Sequence, residues 1–67
     1  MKDYYATVRD GPRTGFLLGP YKTHIEAIYS VKRGKSLALQ ANYGAAFYAY
    51  GTASVPAGTK IKSVFGL

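Results

Sequence analysis

The amino-acid sequence predicts an α+β fold with two layers. An antiparallel sheet carries one helix on one face, in the order β-β-α-β, with or without a short fourth strand. Two observations lead to this prediction. Short runs of aromatic and β-branched residues are bounded by Gly and Pro, as is typical of strands. One longer segment has apolar residues at helical spacing and begins with a capping motif. At 67 residues, the chain is expected to form a single domain over residues 1–67, with a thin core.

The first two strands are predicted to form a hairpin. Residues 4–9 are rich in aromatic and β-branched residues and run into the turn residues 10–12. The apolar run Gly15–Leu18 is followed by Gly19 and Pro20, which end it. We expect a connection over residues 10–14, a loop longer than the two-residue turns of tight hairpins.

The helix is predicted from Thr23 to about Gln40. Thr23 and Glu26 form a capping box, in which the hydroxyl accepts from the amide of Glu26 and the carboxylate accepts from the amide of Thr23. Residues 42–44 are expected to end the helix in a left-handed conformation. Lys35 falls near the centre of the apolar side, with its methylenes packed and its ammonium at the edge. That apolar side comprises Ala27, Ile28, Val31, Gly34, Ala38 and Ala41, with Leu39 at its margin.

A third strand is predicted over Ala45–Ala53. Its mostly small residues (Phe47, Ala49, Gly51 and Ala53) are expected to face the helix, which leaves Tyr48, Tyr50 and Thr52 on the outer face. A right-handed crossover would place this strand beside the first, giving the order 2-1-3. Residues 60–65 are a candidate fourth strand. The face of the sheet opposite the helix is expected to stay open.

Two segments with a basic helix between them carry a resemblance to known proteins. Gly19–Ala27 and Ala46–Ala53 resemble stretches of small uncharacterised accessory proteins of tailed phages and prophages, and the likeness extends from about Tyr4 to Phe65. The resemblance implies an accessory protein that works in the cytoplasm of an infected bacterium. It implies no catalytic or binding residues.

The charge of the chain favours an anionic partner. Nine Lys and Arg residues oppose three acids, for a net charge of +6, and no acid follows Glu26. Nucleic acid, an acidic protein surface and anionic lipid all fit this balance. The charge can equally serve only to keep a small domain in solution.

Catalysis, metal binding and cofactor binding are not expected. The chain has no cysteine, one histidine (His24) and three acids (Asp3, Asp10 and Glu26), from which a zinc site cannot be assembled. A general acid–base pair is not expected either, because Glu26 serves the helix cap, Asp10 lies in a turn and His24 lies in the first helical turn, which disfavours its protonated form. Residues 33–36 end like a phosphate-binding loop, but they fall within the predicted helix and lack the upstream glycine. The absence of cysteine suggests a reducing compartment. With no apolar run long enough for a membrane span or a signal peptide, we expect a cytoplasmic protein without membrane association.

Two surfaces are candidates for binding a partner. The first is the outer side of the helix, with Tyr29, Lys32, Arg33, Ser36 and Gln40. Arg beside an exposed Tyr suits a protein, a phosphate or a base. The second is the open sheet face, with Tyr5, Thr7, Arg9, Tyr48 and Tyr50, flanked by Lys60 and Lys62. Tyrosines on a sheet flanked by basic residues can stack nucleic-acid bases, or can simply stabilise the sheet.

The leading functional prediction is a phage-type accessory protein that binds and modulates a host macromolecule. A host protein is the favoured partner. The alternative is a small basic nucleic-acid-binding module that uses tyrosine, arginine and lysine. A homodimer that covers the tyrosines of the sheet is a further prediction.

Overall fold

The computed structural model describes residues 1–42, 44 and 48–66. Its elements are the strands β1 (Lys2–Asp10), β2 (Arg13–Tyr21) and β3 (Ala49–Pro56) and the helix α1 (His24–Ala41). The strands form one antiparallel sheet in the order β2-β1-β3, and α1 contacts all three strands. The predicted α+β fold and strand order are therefore confirmed. Across the described part of the chain, no helix combines the length and apolarity that crossing a membrane requires.

The hairpin between β1 and β2 is tighter than the sequence suggested. Asp10 pairs with Arg13, so only Gly11 and Pro12 form the connection, and the prediction of a longer loop is wrong. Gly11 has φ 59°. Type II′ hairpin turns need a positive φ at this first central position, and glycine adopts it without strain.

Two irregularities in the β1–β2 pairing direct β2 into the core. Thr7 pairs with Phe16 while Ala6 pairs with Leu18, so Leu17 is an extra residue in β2. In a β-bulge of this kind, consecutive side chains can point to the same face. Leu17 and Leu18 both lie beside Gly34 of α1 and form the buried core with Ala6.

Gly19 is a position where only glycine fits. Its φ is 136°, and a Cβ atom built there would lie 2.5 Å from Cδ2 of Tyr5. The Tyr5 side chain is only 1% exposed and packs edge-on against Phe16, with 5.1 Å between ring centroids. Tyr5 is thus a core residue on the side of the sheet away from α1, which leaves no room beside it for a larger residue at position 19.

The buried side of α1 is turned relative to the sequence-based prediction. Ala27, Ser30 and Gly34 are buried, whereas Ile28 is 49% exposed. Ser30 is accommodated there because its hydroxyl donates to the carbonyl of Ala27 at 2.8 Å. Small residues at these three positions let the helix backbone approach the sheet closely, as Gly34 predicted. The placement of Ile28 and of the last helical residue, Ala41, on the buried side is wrong, because both are exposed.

The ends of α1 also differ from the predicted caps. The Thr23 hydroxyl accepts from the Glu26 amide at 3.3 Å, as expected, but it donates to the Glu26 carboxylate at 2.9 Å. The carboxylate thus bonds the capping hydroxyl instead of the Thr23 amide. At the other end, Asn42 is extended (φ −158°) and its amide donates to the carbonyl of Ala38. The predicted left-handed ending therefore does not occur at Asn42, and Tyr43 lies outside the described residues.

The face assignment of β3 is reversed relative to the prediction. Thr52 pairs with Ala6, and Tyr50 packs against the core formed by Ala6 and the two leucines. Ala53 instead pairs with Tyr5, on the side away from the helix. Since side chains alternate along a strand, Ala49 and Gly51 share the side of Ala53, so the prediction that the small residues face the helix is wrong. The strand ends at Pro56, beyond the predicted Ala53, and positions 45–47 of the predicted strand are not among the described residues.

The residues after β3 cover an edge of the sheet without forming a strand. No strand is assigned between residues 57 and 66. The amides of Val64 and Phe65 donate to the carbonyls of Phe16 and Leu17, at 2.9 and 2.8 Å, along the outer edge of β2. The Ser63 hydroxyl donates to the carbonyl of Gly19 at 3.0 Å. The candidate fourth strand is therefore an irregular segment, held against the edge where a fourth strand would lie.

Candidate binding surface

The outer side of α1 presents every helix residue that the sequence singled out. Tyr29, Lys32, Arg33, Ser36 and Gln40 are all exposed. Tyr29 is 79% exposed, which is a large fraction for an aromatic side chain. Placed at about 100° per residue, the five side chains lie on one side of the helix, opposite Ala27, Ser30 and Gly34.

Two isoleucines extend this side of the helix. Ile25 is 62% exposed and Ile28 is 49% exposed. Ile25 lies three residues before Ile28 and four before Tyr29, so its side chain is a neighbour of both on the helix surface. We call the exposed set the α1 surface; it comprises Ile25, Ile28, Tyr29, Lys32, Arg33, Ser36 and Gln40.

The isoleucines were missed because the sequence allows two ways to place the buried side. Apolar periodicity favoured Ile28 as a core residue and passed over Ser30, which is polar. The spacing of Ala27, Ser30, Gly34 and Leu37 is an equally regular helical stripe. That signal was visible in the sequence. Placing the buried side from this stripe requires a buried serine, which is acceptable when its hydroxyl bonds to the preceding turn.

The charged side chains of the α1 surface are basic, and they adjoin its apolar side chains. Lys32 and Arg33 follow Ile28 and Tyr29 by one helical turn. The acid of the helix, Glu26, bonds with Thr23 at the first turn. The surface thus has an apolar half near the start of α1 and a cationic half toward its middle.

Lys35 lies off the buried side of the helix, so its predicted central position is wrong. The side chain is exposed, and its ammonium nitrogen lies 5.6 Å from the ring centroid of Tyr50. This distance is in the range of a cation–π contact. Burial raises the pKa of the Tyr50 hydroxyl, and the neighbouring Tyr48 raises the pKa further. Lys35 and Tyr50 therefore join α1 to β3 and are not part of the α1 surface.

The predicted tyrosine surface on the sheet does not form. Tyr5 is buried, Tyr50 lies on the helix side, and Tyr48 is half-buried in the bend before β3. Arg9 is exposed near the end of β1, and Lys60 and Lys62 are exposed in the segment after β3. Tyr5 pairs with Ala53, and side chains alternate along β3, so Tyr50 and Tyr5 point to opposite faces of the sheet. The described part of the sheet face consequently offers no row of stacked tyrosines.

In place of a tyrosine platform, the sheet holds a shallow cleft. Its volume is about 400 Å³, and it lies where β1, β2 and β3 meet away from the helix. Thr7, Arg9 and Thr14 line it from β1 and β2, and residues 49–53 of β3 form the rest. Thr7 itself is nearly buried.

His24 has partners that give it a structural role. Its Nε2 atom lies 2.9 Å from the Thr52 hydroxyl, and its ring stacks on Tyr4 with 5.6 Å between centroids. These contacts fasten the start of α1 to β1 and β3. In the described residues, no three His, Cys, Asp or Glu side chains come together in a way that could hold a metal ion. Residues 33–36 lie within α1, with Gly34 packed against Leu17, so they form no phosphate loop.

No protein-family model matches this chain, and no curated protein or solved structure is significantly similar to it.

Proposed function

We propose that this protein is a non-catalytic binding module that docks the α1 surface onto another protein. The single observation behind this proposal is the exposure of Ile25, Ile28 and Tyr29 side by side on one helix. Isolated apolar side chains are common on protein surfaces, but a contiguous group bordered by charged residues is typical of an interaction site. Tyr and Arg are also the residues that most often dominate the energy of protein–protein binding.

The chemistry of the α1 surface defines the partner. An amphipathic helix binds by placing its apolar side chains into a groove, with anchors spaced three and four residues apart. Ile25, Ile28 and Tyr29 have this spacing. Lys32 and Arg33 would then meet acidic residues at the rim of the groove. The partner is therefore a protein with an apolar groove and an acidic border.

The biological setting of the proposal comes from the resemblance to phage accessory proteins. In that setting the partner is a bacterial host protein, bound in the cytoplasm of the infected cell. Occupying a groove on a host enzyme or regulator would modulate it without any catalysis by this chain. Binding of this kind requires no cofactor.

Nucleic acid is the rival partner, and the net charge of +6 is what favours it. Two observations weigh against it. The tyrosines expected to stack bases are divided between the core and the two faces of the sheet. Aliphatic side chains such as Ile25 and Ile28 contribute little to phosphate binding, which relies on Lys, Arg and polar groups.

Affinity capture from nuclease-treated bacterial lysate tests the proposal. The wild-type protein should retain a stoichiometric protein partner, and Tyr29→Ala and Arg33→Glu should each lose it. Arg9→Glu is the matched control, because it makes the same charge change at an exposed site outside the α1 surface. If the partner is lost equally with Arg9→Glu, or if capture depends on added nucleic acid, the protein-docking proposal is wrong. Binding to nucleic acid would instead weaken steeply with salt, by roughly one power of concentration per phosphate contact.

A further inference from the structure

The two edges of the sheet differ in the chain segments that lie beside them. The strand order β2-β1-β3 makes β2 and β3 the edge strands. The residues after β3 cover the edge of β2 through the backbone bonds of Val64 and Phe65 and a third from the Gly19 amide to the carbonyl of Gly66. Among the described residues, β3 pairs only with β1. Within the described part of the chain, positions 51–56 of β3 have no strand partner on the side away from β1, and such an edge presents backbone groups that another strand can bind.

β3 also lacks the features by which proteins usually block edge pairing. Its register with β1 runs without a shift from Lys2↔Pro56 to Arg9↔Ala49, whereas the β1–β2 pairing has two shifts. It has no Lys, Arg, Asp or Glu, and its one proline, Pro56, is the last residue. Charges, bulges and central prolines are the common protections of an edge strand. β3 is therefore a regular, uncharged edge of eight residues.

We propose that β3 pairs antiparallel with β3 of a second copy of this chain. The two sheets would join into one sheet of about six strands, an ordinary size for a β-sheet. The symmetry is a two-fold axis perpendicular to the sheet, as in the closed dimers that are the commonest oligomers. Both helices then lie on the same face of the joined sheet, with both α1 surfaces exposed.

Charge explains why a second copy fits this edge although each chain has a net charge of +6. Pairing β3 with itself places no charged side chain opposite another, because β3 has none. The nearest basic strands are the two β1 strands, which would lie three strand spacings apart, about 14 Å. This separation exceeds the screening length of about 8 Å at physiological salt, so their repulsion is weak. The dimer would also add burial to a core in which, among the described residues, the largest fully buried side chains are Tyr5 and Leu18.

A pair of opposite charges at Ala53 tests the proposed dimer. Ala53 lies next to the centre of β3, so in antiparallel self-pairing the two Ala53 residues are either directly opposite, at about 5 Å, or diagonal, at about 7–8 Å. Wild-type protein at tens of micromolar should sediment at twice the chain mass of 7.3 kDa. Ala53→Lys alone and Ala53→Glu alone should each sediment at the chain mass. An equimolar mixture of the two variants should regain twice the chain mass, because opposite charges then meet.

Ala41→Lys is the matched control, since it adds the same charge at an exposed alanine outside β3; it should remain a dimer. Hydrogen exchange of the wild-type protein provides a second measurement that needs no variant to fold. Amides of β3 should become at least tenfold better protected at high than at low protein concentration, while those of β2 should not change. A wild-type protein that sediments at the chain mass, a dimer that survives Ala53→Lys, or β3 exchange independent of concentration would each overturn the proposal.

Discussion

The replacement Ile28→Ala separates the observed orientation of α1 from the one that apolar periodicity favours. It removes three carbon atoms, which would be worth about 2.4 kcal/mol if the side chain were fully buried, at about 0.8 kcal/mol each. Because Ile28 is 49% exposed, only about half of this, roughly 1.2 kcal/mol, is at stake. Alanine recovers a few tenths of a kcal/mol through its higher helix propensity. The expected loss in the free energy of unfolding is therefore about 1 kcal/mol or less.

Leu18→Ala is the matched comparison, because it removes the same number of carbon atoms from a side chain with no exposed area. The lost burial and the cavity left behind should together lower the free energy of unfolding by about 2–5 kcal/mol. A domain of this size has only about 3–5 kcal/mol in total. Leu18→Ala should therefore unfold a large part of the population, whereas Ile28→Ala should stay folded.

Urea unfolding followed by circular dichroism measures both losses. With a slope of about 1 kcal/mol per molar urea, the midpoint should fall by about 1 M or less for Ile28→Ala. For Leu18→Ala it should fall by about 2 M or more. If Ile28→Ala costs as much as Leu18→Ala, Ile28 is a core residue. The apolar half of the α1 surface would then not exist.

Three further predictions follow from single contacts. Gly19→Ala should cost about 2–5 kcal/mol, since its Cβ would overlap the buried ring of Tyr5 and its φ of 136° is strained for alanine; thermal unfolding measures this, and a loss under about 1 kcal/mol would contradict the close contact. Thr23→Ala should lower stability by about 0.5–2 kcal/mol, because the Glu26 amide and carboxylate lose their partner; an unchanged urea midpoint would show that the cap is unimportant. The raised pKa of Tyr50 means that the folded state favours its neutral form, so stability should fall as the pH rises above the ordinary value of 10.0. Tyr50→Phe should remove a late-titrating component from the ultraviolet titration, and identical late components in the two proteins would contradict this.

The order of the elements could be predicted from the sequence because each has a local signal. Aromatic and β-branched residues mark β1, the capping residues Thr23 and Glu26 mark the start of α1, and turn residues separate the strands. The length of the hairpin connection was harder to predict from the sequence. Pairing of Asp10 with Arg13 extends both strands into residues that look like a loop, and this pairing depends on contacts between strands more than on local propensity.

The orientation of the elements was harder to predict than their existence. A strand offers two faces, and choosing the wrong one for β3 reversed every side chain at once, since the repeat is two residues. The choice rested on the idea that small residues pack against helices. In the structure the helix supplies the small residues, with Ala27, Ser30 and Gly34, so β3 can present the larger Tyr50 to it.

The predicted and observed candidate sites differ for the same reason, which is the choice of the buried face. The basic and aromatic part of the α1 surface could be predicted because Tyr29 and Arg33 lie opposite either version of the buried side. The apolar part could not, since Ile28 moves from core to surface when the helix turns slightly. The sheet surface was lost because it required Tyr5 and Tyr50 to share a face.

Site-specific photo-crosslinking tests the central claim most directly. A photoreactive phenylalanine analogue is placed at Tyr29 in the α1 surface and, as a matched exposed position on the sheet, at Arg9. After irradiation in nuclease-treated bacterial lysate, the Tyr29 position should yield one discrete adduct with a host protein. Competition with unlabelled wild-type protein should remove this adduct, and competition with unlabelled Ile25→Ser should not. An adduct that forms from Arg9 but not from Tyr29, or that Ile25→Ser displaces as well as wild type, would contradict docking through the α1 surface.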